Sequence, residues 1–143
     1  MKPVWFVVLV PMAMLAQTPP PQATVKQLML DMIHPASNDI LLFVNRGAPK
    51  TEQEWAAVRR CGLALAESRN LLMTPGRARE GDWTKYAKML GDVGTAAYQA
   101  AQAKDFPALA ALTDALDASC TTCHKQYRPN VFPRSAGATG GSK

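Results

Sequence analysis

Two sulfurs and an imidazole stand within five residues of one another at Cys120-Thr121-Thr122-Cys123-His124. Three chemistries use such a group: a metal ion on thiolate and imidazole, a dithiol exchanging with its disulfide, and a haem bonded through both sulfurs. A structural zinc ion takes four ligands, commonly as two Cys/His pairs. Outside the pentapeptide the chain offers Cys61 and His34, with no second paired spacing. A redox dithiol normally sits at a helix N-terminus, where the dipole lowers the attacking thiol's pKa. Here the pair falls late in a helical pattern, where the dipole raises it. Haem attachment meets every condition. Residues three and four apart share one helix face, so Cys120 and Cys123 can bond the two vinyl groups of a haem while His124 offers a ring nitrogen to its iron. A single motif of this kind predicts one haem c.

The stripe that carries the motif predicts its surroundings. Leu109, Leu112, Leu116, Cys120, Cys123 and Tyr127 recur at spacings of three and four, which is the apolar face of one continuous helix. Asp105 is its predicted N-cap, Pro107 is tolerated in its first turn, and Arg128-Pro129 closes it. Three further helices precede it, and no segment alternates as a strand does. The first covers residues 23–45, with Pro35 predicting a kink or short break. The second opens on a Thr51–Glu54 capping box and ends at Thr74-Pro75-Gly76, its inward stripe being Trp55, Val58, Gly62, Leu65 and Leu72. The third is capped by Asp82 and turns Tyr86, Leu90, Val93 and Ala97 inward. Its small residues, Gly91 and Gly94 among them, leave room for a close neighbour or a bulky ligand. Four helices on short connections predict an all-α, antiparallel up-and-down four-helix bundle.

At 143 residues the chain holds one domain. Residues 1–16 have the layout of a secretory signal peptide: Lys2, the apolar run from Val4 to Leu15, then small Ala16. A Pro-rich linker (17–22) leads to the bundle (23–129), and residues 130–143 read as a flexible tail. Export predicts a soluble periplasmic protein without stable membrane insertion, and it fits the covalent haem, which is attached outside the cytoplasm. Losing Lys2 with the signal lowers the net charge from +5 to +4. That excess suits transient docking to an acidic redox partner. It is too scattered for nucleic acid, since no cationic block exceeds Arg59-Arg60. No acid, base or nucleophile constellation points to an enzyme.

The run CTTCHKQYRP near the end of a four-helix chain resembles cytochrome c′ and its class II relatives, whose motif commonly reads C-x-x-C-H-x-x-[YF]-R. The resemblance covers residues 25–129. It implies that Cys120 and Cys123 are the thioether anchors, that His124 is the proximal ligand and that Arg128 lies over the proximal side. It also implies that Lys26-Gln27, similar to the Arg-Gln start of relatives, brings residues 28–33 over the haem. In such proteins the sixth iron position is filled by Met for electron transfer or left open for NO or CO. Met29 and Met32 share one helix side and either thioether suits iron, Met29 being the preferred assignment. Leu30 facing the iron would leave it open, and His34 is a third candidate although it precedes Pro35, which biases it away from helix. The predicted function is a one-electron carrier; the alternative is a gas-binding haem protein. Related bundles pair through their first two helices, so a homodimer is an open option. Cys61, within the second helix, reads as a buried small hydrophobe.

Overall fold

The structure, a computed structural model, describes residues 22–130. The predicted signal peptide, nearly all of the linker and all but Asn130 of the tail lie outside them. The described residues are helical and contain no strand: α1 (Val25–Leu28), a π turn (Met29–Ile33), α2 (His34–Asn45), α3 (Glu52–Leu72), α4 (Trp83–Ala103), α5 (Phe106–Ala110) and α6 (Thr113–Tyr127). The backbone runs helically from α1 through the π turn into α2, so the elements amount to five helical segments, four long ones and the short α5, packed around one core. No helix among the described residues is long and apolar enough to cross a membrane.

Local signals start these helices. Thr24 caps α1 and Thr51 caps α3, each in a reciprocal capping box, with Glu54 N–H donating to Thr51 Oγ1 at 3.2 Å and Thr51 N–H to the Glu54 carboxylate at 3.1 Å. Asp105 caps α5 through a 2.9 Å bond from Ala108 N–H. Asp82 precedes α4 as predicted, but its side chain makes no cap bond; its carboxylate instead lies 3.5 Å from the Tyr86 hydroxyl oxygen.

Two predicted helices differ in detail. Pro35 produces a π turn rather than a break. Proline has no N–H to give and its ring crowds the carbonyl four residues back, and the wider turn ahead of it, in which His34 N–H donates to Met29 O, accommodates both demands. His34 is accordingly helical (φ −63°, ψ −48°), against the bias that a following proline imposes. The predicted fourth helix is two: α5 ends at Ala110, and a short turn at Ala111–Leu112 redirects the chain into α6.

α3 and α4 form the most extensive contact, with α2 against α3 and α6 against α4. The small residues of α4 take a close neighbour here. A Cβ added at Gly94 would stand 2.3 Å from Ala66 N, and one at Gly62 would stand 2.6 Å from Tyr98 N, so the two backbones nearly touch. The inward stripe of α3 is buried in full: Trp55, Val58, Gly62, Leu65 and Leu72. Arg77, buried after α3, ties the chain entry to that helix, its Nε donating to Ala23 O at 2.8 Å and a guanidinium N–H to Leu71 O at 3.1 Å. Since the Gly94 backbone contact has no slack, Gly94→Ala is predicted to cost about 1–3 kcal/mol as an overpacking change. Urea unfolding of the variant against the parent chain measures it.

Candidate functional site

α6 leans on α4 and makes little contact with the first helical segment. In the space between them is a cavity of about 330 Å³. Its apolar wall comes from Ile33 on the π turn, Leu72 at the end of α3, and Trp83, Ala87 and Leu90 along α4; Cys120, Cys123 and His124 line it from α6. A second cavity of about 270 Å³ adjoins it, and Met29, Leu30, Trp83, Cys123, His124 and Arg128 line both.

Aromatic contacts hold this end of α6 in place. Trp83 is buried, its indole N–H donating to Leu72 O at 2.9 Å. Tyr127 packs edge-on against it with ring centroids 4.9 Å apart. The Tyr127 hydroxyl donates to Glu80 O at 2.5 Å, and the Tyr86 hydroxyl to the Gln126 side-chain oxygen at 2.9 Å. Gly81 permits the clasp: its φ of +79° suits glycine, and a Cβ there would meet the Tyr127 hydroxyl at 3.3 Å. The loop before α4 is thereby fastened to the helix that carries the cysteines.

The electrostatics follow from burial. Desolvation pushes the Cys120 thiol up, and pushes Cys123 up to about 11, with the neighbouring Cys120 adding to it. Burial first, and then the Arg128 cation, hold His124 below the usual imidazole value. At neutral pH the site therefore presents two protonated thiols and a neutral imidazole. The imidazole is in its metal-ligating form, whereas the thiols are poor nucleophiles for disulfide exchange. No disulfide joins any of the three cysteines. Among the described residues no three His, Cys, Asp or Glu side chains are grouped to hold a metal ion.

Of the residues singled out in the sequence, Cys120, Cys123, His124, Arg128 and Met29 come together on the cavities. Lys26 lines the second cavity only, and His34 the first. Leu30 lines both while 58% exposed. Met32 lines neither and packs against the core instead. Cys61 is half-buried on α3 rather than enclosed, its sulfur 3.9 Å from the Asp39 carboxylate of α2, and burial raises its pKa. Ile33, within the 28–33 stretch expected over the haem, lines the first cavity; sequence reasoning passed over Trp83, Ser37, Ser119 and Arg79. Trp83 was within reach, because it continues the Tyr86–Leu90 stripe of α4 by three residues. Arg79 lies in a loop without periodicity, and no pattern marks it.

No family model matches this chain, and neither does any curated protein or solved structure. The resemblance to cytochrome c′ rests on the motif and the helical layout alone.

The raised thiols give a pH signature for the haem-free chain. A group protonated more tightly when folded contributes stability below its unfolded pKa and loses it as pH rises towards the folded one. The urea midpoint of haem-free protein is therefore predicted to fall between pH 9 and about 11, and replacing Cys120 and Cys123 by Ser flattens that fall.

Proposed function

We propose that this chain is an exported monohaem c-type cytochrome of the cytochrome c′ kind, an antiparallel up-and-down bundle working as a one-electron carrier in the periplasm. The observation that carries the reading is a coincidence of parts. The two sulfurs and the imidazole of CTTCH line one apolar cavity, on the side of α6 that its neighbours leave uncovered.

The residues present fit such a group. Cys120 and Cys123 would hold it covalently, and neutral His124 would ligate its iron, with Ile33, Leu72, Trp83 and Leu90 excluding water from its faces. When bound, the haem supplies a reversible one-electron couple whose potential depends on axial ligand, hydrogen bonding and burial. The chain's own work is to keep the imidazole neutral and oriented, and to hold α6 against Trp83 and Tyr86 so that the anchoring sulfurs do not move. Met29, on the first helical segment, lines the same cavities and is the residue assigned to the sixth position. A Met thioether raises the potential and suits electron transfer. The net positive charge assists encounter with an acidic redox partner.

A second reading, gas binding at an open sixth position, draws on Leu30, which lines both cavities beside Met29. The visible spectrum of the reduced protein, with and without CO, separates the two. The carrier is expected to be low-spin when reduced and unchanged by CO. Met29→Ala converts it to a high-spin form that takes up CO, while Met32→Ala leaves it as it was. A wild-type protein that is high-spin when reduced and binds CO readily overturns the carrier in favour of the gas-binding reading.

A further inference from the structure

The second cavity differs from the first in charge. Lys26 from α1, Arg79 from the loop before α4 and Arg128 at the end of α6 all line it, and no carboxylate does. Three separate chain segments thus bring cations to one small space beside Cys123 and His124. Among the described residues the ion pairs are Lys88–Asp92 and Lys104–Glu52, so none of the three is neutralised in this way. Arg79 lies over the Trp83 ring, 5.5 Å from its centroid, and that ring is fixed by its bond to Leu72 O. The acids flanking Arg79 in sequence, Glu80 and Asp82, do not line the cavity.

We infer that Arg79 is a specificity-determining residue for the prosthetic group: with Lys26 and Arg128 it recognises that group's carboxylates, while Cys120 and Cys123 anchor its vinyl edge. The inference rests on the haem reading above. A guanidinium presents a planar fork of donors that matches a carboxylate two bonds at a time. Stacking on Trp83 limits the positions the fork can take, which lowers the entropy lost when a carboxylate arrives. All three cations are exposed, so each contact contributes modestly, roughly a two- to fivefold effect on affinity.

The test uses the full chain with Cys120→Ala and Cys123→Ala, titrated with haemin and with haemin dimethyl ester and followed by absorbance. The free acid is expected to bind roughly ten- to a hundredfold more tightly than the ester, as three such contacts imply. Arg79→Gln should weaken the acid roughly two- to fivefold and leave the ester unchanged, while Arg60→Gln on α3 changes neither. Equal affinities for acid and ester would overturn the inference, as would an Arg79→Gln change that weakens both alike, or binding of neither form. In the covalent protein, which makes no demand on the Cys variants folding, Arg79→Gln is expected to move the pH dependence of the reduction potential upward by about half a pH unit. No movement counts against a carboxylate partner. The haem reading is judged separately, by whether wild-type protein keeps haem after denaturation. If it does and acid and ester are not distinguished, the role of Arg79 is wrong and the cytochrome reading stands.

Discussion

The near-contact of two backbones, α3 and α4, is the constraint on which the remaining elements depend. It exists because Gly62 on one helix and Gly91 and Gly94 on the other put no side chain between them. Close approach gives dense packing with few rotamers to freeze, and it leaves the larger side chains to face outward from the pair. Val58 and Leu65 on α3 and Ala97 and Ala101 on α4 are buried by this arrangement. α2 then packs on α3, and α6 on α4.

Because α6 is supported mainly by α4, its other side faces a gap towards the first helical segment, and the gap is the cavity. Such a helix would be free to shift were its C-terminal end not fastened. Trp83, Tyr86 and Tyr127 do the fastening through ring contacts and hydroxyl bonds to Glu80 and Gln126. Aromatic pairs of this geometry contribute about 0.5–1.5 kcal/mol beyond their burial. The same ring, Trp83, is both a wall of the cavity and the hub of the clasp. Core packing, helix position and the chemical environment of Cys123 are therefore one connected set of contacts.

Much of this was legible in the residues because the physical signals are local. The Thr51–Glu54 capping box announces the start of α3, and helical periodicity picks out most of the buried faces of α3 and α4. What escaped was governed by tertiary context. Pro35 marks a disturbance, yet whether it kinks, breaks or widens the helix depends on what the turn packs against; the π turn keeps His34 helical and brings it to the cavity. The break at Ala111–Leu112 carries no proline or glycine, so periodicity ran straight through it. Asp82 has the right type and place for a cap, but Tyr86 lies within reach of its carboxylate. Met29 and Met32 are equivalent by type and spacing, and only the cavity separates them. Arg79 is one of several cations in a polar loop until the fold sets it over Trp83.

The central claim is that Cys120 and Cys123 carry a covalent haem, and thiol counting under denaturing conditions addresses it most directly. The chain has three cysteines. Purified exported protein, denatured in acid and freed of loosely bound pigment, is predicted to show one titratable thiol, that of Cys61, and a mass one haem above the polypeptide. Three titratable thiols and the bare polypeptide mass would contradict the account.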